Sequence, residues 1–126
     1  MTVQVSMIGL VVRDMAASLA FYRRVGLEIP ADADAKRFHE HRMASGVTLF
    51  WDTVWTATHD PERHPVEGGY GVLLEFFLAD TDAVDAKYAE LTAAGYHGRM
   101  APKQTEGPYA AMVDDPDGNV ALITAG

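Results

Sequence analysis

The sequence predicts an α+β fold of two β-α-β units whose sheets curve together around a groove, and three observations point to it. The first is size and composition: 126 residues, 48% hydrophobic and 22% charged, enough to bury the core of one domain. The second is repetition, because a β-prone apolar run followed by an amphipathic helix occurs twice in the same order. The third is the polar, Pro- and Gly-containing stretch "TATHDPERHPVEGG" between the two copies, which reads as a linker. The expected organisation is a single domain, 1–126, with module one at about 1–55, a linker at about 56–69 and module two at about 70–126.

Each element follows from local chemistry. Val3 to Val12 is apolar on both faces and reads as a strand. Asp14 is placed to cap a helix that runs through Phe21 and Tyr22 and stops at Gly26. "KRFHEHRM" alternates as a half-buried strand, Ala44-Ser45-Gly46 turns, and "VTLFWD" is a short β-prone run. In the second copy "GVLLEFFLA" is a strand. Thr81 or Asp82 is expected to cap a helix whose apolar stripe is Val84, Tyr88 and Leu91, ending before Gly95. "YAAMV", the turn "DDPDGN" and the strand "VALIT" complete it.

With helices on one side of each sheet, the two-residue period of a strand selects the groove side. That phase points Met7, Gly9 and Val11 inward, with Val47, Leu49 and Trp51, then Val72, Leu74 and Phe76, and last Val120, Leu122 and Thr124. Phe38, Glu40 and Arg42 are placed on the same side. Glu75 falls on the helix side, where an unpaired carboxylate is costly, so a structural Arg or Lys partner is expected.

Several function classes drop out. Without cysteine there is no disulfide framework, thiolate metal site or thiol nucleophile. A net charge of −8 with no compensating basic cluster opposes binding to nucleic acid or an anionic membrane. No apolar run approaches a membrane span and the first residues do not read as a signal peptide, so a cytoplasmic location is expected.

"IGLVVRDMAASLAFYRRVGLEIP", "GYGVLLEFFLAD" and "DDPDGNVALITA", in that order, resemble the vicinal oxygen chelate superfamily, the glyoxalase, bleomycin-resistance and dioxygenase group. The resemblance implies two βαβββ modules. It also implies a divalent metal held by His or Glu at four strand positions, which align here with Met7, Leu49, Val72 and Leu122. Four apolar side chains hold no hard cation, so neither metal nor cofactor is expected. "FYRRVGLEIPADAD", "WDTV", "VDAKYAELTAAGY" and "DPDGNV" are most similar to the mitomycin-resistance and antibiotic-binding branch. That likeness implies a homodimer formed by module exchange and a flat drug held between aromatic side chains. One departure stands out: that branch carries a Trp-Gly segment where "KQTEGPYAAM" offers Tyr109.

The expected function is sequestration of a hydrophobic, partly planar antibiotic or natural product, without catalysis. Trp51 and Trp55 are the expected stacking surfaces, since an indole is large and stiff. Met7, Phe38, Leu49, Val72, Phe76, Tyr109, Met112 and Leu122 are the further lining candidates, and His64 is a candidate contact from the linker. His39 and His41 share a strand face, but two ligands do not make a metal site. The alternative is a glyoxalase-like lyase or isomerase, or a dioxygenase, with a noncanonical or absent metal site and a groove carboxylate such as Glu40 or Glu106 moving protons.

Overall fold

The computed structural model describes residues 4–62 and 71–125. They fall into two compact units, 1–23 with 27–65 and 24–26 with 66–126. The fold class is α+β, as expected, with one sheet in each unit.

In the first unit, β1 (Met7–Val11), β2 (Phe38–Arg42) and β3 (Thr48–Asp52) form a three-stranded sheet in the order β1-β3-β2. β1 runs parallel to β3, and β2 antiparallel to it. Helix α1 (Met15–Val25) starts where expected: the Asp14 carboxylate accepts the Ala17 N–H at 3.0 Å. It stops at Gly26, whose φ of 135° few other residues adopt. The chain then returns through a 3-10 turn, Ala31–Ala35, pinned by Arg23. That guanidinium donates to the carbonyls of Ile29 and Pro30 at 2.8 and 2.7 Å and pairs with Asp34 at 2.9 Å. A short helix, α2 (Trp55–His59), lies in what the sequence presents as linker.

The second unit contains β4 (Leu73–Leu78), α3 (Thr81–Ala93), β5 (Gly98–Gln104), β6 (Tyr109–Asp114) and β7 (Val120–Ala125), with the sheet ordered β4-β7-β6-β5. Asp80 caps α3, accepting the Ala83 N–H at 2.9 Å, so the cap precedes the expected Thr81 or Asp82. Val84 and Leu91 are fully buried, as their stripe requires. Tyr88 lies over Gly98, where any Cβ would collide with the phenol. The Tyr109 hydroxyl donates to Asp85 of α3 at 2.6 Å, which places α3 on the Tyr109, Ala111 and Val113 side of the sheet. At the β6–β7 turn, buried Asp115 accepts the N–H groups of Asp117 and Asn119, both at 2.8 Å.

Candidate binding faces

The register of each sheet decides which side chains the helices cover. In the first unit Leu10 pairs with Trp51 and Trp51 with His39. Directly paired residues share a face. Tyr22 of α1 meets the Trp51 ring edge-on at 5.5 Å, so this is the helix side. Trp51 is fully buried and Leu49 is 4% exposed. The expected placement of Leu49 and Trp51 on the groove side is therefore corrected: both lie in the core on the helix side, and His39 and His41 share their side. The physical reason is that "LFW" is apolar at every position, so hydrophobicity leaves the phase open and the bulkiest ring takes the enclosed side.

His39 gains a specific property from that placement. Its Nε2 is buried without a hydrogen-bond partner, as is the Trp51 indole nitrogen. Burial, followed by the positive charges of Lys36, His41 and Arg23 and only partly opposed by Asp32, lowers its pKa below the ordinary 6.5. The unfolded chain therefore takes up this proton first as pH falls. Stability contributed by neutral His39 is complete above about 6.5 and is lost as pH drops through the lower folded value. The wild type is expected to lose more melting temperature between pH 7.5 and 5.5 than His39→Phe, and equal losses would contradict it.

The opposite side of the first sheet carries Met7, Gly9 and Val11, then Thr48, Phe50 and Asp52, then Phe38, Glu40 and Arg42. Phe38 and Met7 thus lie on the face expected of them. Phe50 lies across β1 because Gly9 has no side chain; a Cβ there would run into the ring. Its ring is 5.4 Å from Phe38 and 6.5 Å from Trp55, and Trp55 lies 4.4 Å from His59. Asp52 positions Trp55 by accepting the Val54 N–H at 2.8 Å, which starts the turn into α2. The outcome is an aromatic row, Phe38, Phe50 and Trp55, with Phe38 at 43% and Trp55 at 41% exposed. Sequence reasoning placed Gly9 on this face and missed Phe50, the ring that Gly9 makes room for. The available signal was the parallel pairing of β1 with β3, which ties Gly9 to Phe50.

In the second unit the phase of β4 is also opposite to expectation. Leu74 and Phe76 share the α3 side with Ala121 and Ile123, and Val72, just before the strand, is in phase with them. Tyr109 is on that side too, and its hydrogen bond to Asp85 raises its pKa. The face away from α3 carries Leu73, Glu75 and Phe77, with Val120, Leu122, Thr124 and Met112. Phe77 is 71% exposed and Leu73 41%. Glu75, expected on the helix side with a cationic partner, is exposed and accepts the Thr124 hydroxyl at 3.0 Å. Leu122 and Met112 lie on the face expected of them. Glu106 is exposed in the β5–β6 turn, and His64 lies outside the described residues.

These faces test the implied metal. With the phase corrected, the positions next to the aligned ones are Thr48 or Phe50 and Gly71 or Leu73, beside Met7 and Leu122, with Glu75 a carboxylate nearby, opposite Leu122. A divalent site takes three or four His, Asp or Glu ligands. No group of three such side chains suited to a metal occurs among the described residues. The donor set does not fit the metal.

The family model of the glyoxalase/bleomycin resistance protein/dioxygenase superfamily matches residues 4–122. The chain belongs to that superfamily. Its fold is that of solved superfamily structures: a family enzyme from Burkholderia phytofirmans PsJN aligns at a TM-score of 0.80 and 24% identity, covering 98% of each chain. A glyoxalase-related enzyme from Fulvimarina pelagi aligns at 0.77 and 22% identity, covering 98% of this chain and 88% of that one. A glyoxalase/dioxygenase from Nostoc punctiforme aligns at 0.67 and 21%, covering 97% and 90%. No curated protein matches the sequence. Superfamily membership establishes the fold and leaves function to the site. No described helix is long and apolar enough to cross a membrane.

Proposed function

We propose that the protein binds and sequesters a hydrophobic, partly planar small molecule of the antibiotic or natural-product kind, without turning it over. The observation that carries this is the aromatic row of Phe38, Phe50 and Trp55 on the uncovered side of the first sheet. Rigid rings with partly exposed faces offer contact area at little entropic cost. Met7 and Val11 extend the apolar surface, at 40% and 42% exposed. Likeness to the mitomycin-resistance and antibiotic-binding branch supports the same function, acting in the cytoplasm. Each sheet also ends in an apolar strand, β1 and β4. Such edges favour pairing with another chain, which supports a homodimer built by module exchange. Light scattering is expected to return twice the 13.7 kDa chain mass.

The test is a fluorescence and native mass-spectrometric titration with a polycyclic quinone antibiotic, with elemental analysis of the same sample. Saturable binding by metal-free protein is expected. Stoichiometric metal lost together with binding would overturn the proposal.

One observation favours a second reading, a metal-free lyase or isomerase: Glu75 stands on an uncovered face, where a carboxylate can move protons. Superfamily neighbours described as enzymes are consistent with it. It requires product formation at enzyme concentrations far below substrate.

A further inference from the structure

We infer that the exposed β4 side of the second sheet, on the face away from α3, selects hydrophobic ligands that carry a protonated amine, with Glu75 as the anionic anchor. The inference rests on the proposed binding function and adds to the aromatic row of the first sheet a second face, on the second sheet, with its own ligand class.

Glu75 sits between Leu73 and Phe77 along β4, directly opposite Leu122 of β7, which in turn pairs with Met112 of β6. A carboxylate is thus set between two exposed apolar side chains on the edge strand of the sheet, with Leu122 and Met112 beside it on one side. Its partner is the hydroxyl of Thr124, which donates to Oε2 at 3.0 Å. Thr124 is fully buried, so its hydroxyl holds the carboxylate in one orientation. No cationic side chain faces Glu75 among the described residues. Arg99 is paired with Asp114 and Lys87 with Glu90.

An apolar molecule laid over this patch strips water from the carboxylate. A neutral ligand leaves the charge desolvated and unpaired, which is costly, whereas an ammonium group replaces the lost water with an ion pair. Phe77, two residues along the same face and 71% exposed, adds a ring face that attracts a cation. The net charge of −8 draws cations toward the protein and repels anions. Discrimination therefore comes as much from penalising neutral and anionic ligands as from rewarding amines.

The experiment compares three probes of one ring system: 9-(aminomethyl)anthracene, 9-anthracenemethanol and anthracene-9-carboxylate, titrated at pH 7 into wild type, Glu75→Gln and Glu28→Gln. Glu28→Gln removes the same charge from an exposed loop position, and a melting curve for each variant establishes that it is folded. Wild type and Glu28→Gln are expected to bind the amine at least about ten-fold more tightly than the alcohol, with the carboxylate weakest. In Glu75→Gln the amine-to-alcohol ratio is expected to fall to within about three-fold. Equal affinity of wild type for amine and alcohol, or a ratio that survives Glu75→Gln, would overturn the inference while leaving the binding function standing. Failure of all three probes to bind would overturn both.

Discussion

Trp51→Ala is expected to destabilise the protein by about 3–5 kcal/mol, the usual cost of emptying a large aromatic site in a core. The ring is fully buried, with Tyr22 at 5.5 Å and His39 at 6.1 Å between centroids. Its replacement leaves a cavity under α1 that neither the helix nor the three-stranded sheet can close without moving. Trp51→Phe is expected to cost much less, because a ring remains and the buried indole N–H, which has no partner, is removed with its desolvation cost. Urea unfolding of both variants, compared at equal m-values, measures the difference. A loss under about 1 kcal/mol for Trp51→Ala would place this residue outside the core.

Trp55→Ala is expected to do the reverse: little change in stability and a ten- to hundred-fold weaker binding of a polycyclic quinone, about 1–3 kcal/mol. The indole is 41% exposed at the start of a short helix, so few core contacts depend on it. Its outer face continues the surface begun by Phe50 and Phe38. Because the chain has two tryptophans, Trp51→Phe leaves Trp55 as the sole indole reporter. Quinone binding is expected to quench that variant's fluorescence. Unchanged quinone affinity in Trp55→Ala would move the site away from the aromatic row.

The contrast between these tryptophans shows what the sequence could disclose. Asp14, Gly26 and the Val84–Leu91 stripe were legible because capping, positive φ and the helical period depend on a few neighbouring residues. The phases of β3 and β4 were not. "TLFWD" and "LLEFFL" put apolar side chains on both faces, so the period of two has no polar partner to mark the outside. Only long-range pairing, Leu10 with Trp51 and Leu74 with Ala121, resolves it. β5 escaped notice because "GRMAPKQ" combines Gly98, Pro102 and three charged or polar residues; it is held by β6 through an irregular register. Of the binding candidates, Met7, Phe38, Met112 and Leu122 lie on uncovered faces and Trp55 on the helix beside one. Leu49, Trp51, Val72, Phe76 and Tyr109 lie on the helix-covered sides.

Sequestration and catalysis separate most directly in the fate of the ligand. The protein is incubated for hours with a fifty-fold excess of a polycyclic quinone, and bound and free ligand are recovered and weighed by mass spectrometry. Sequestration predicts saturation at a fixed small ratio of ligand to chain and recovery of every molecule at its original mass. A new product that accumulates beyond the amount of protein present, or no bound quinone at all, would contradict it.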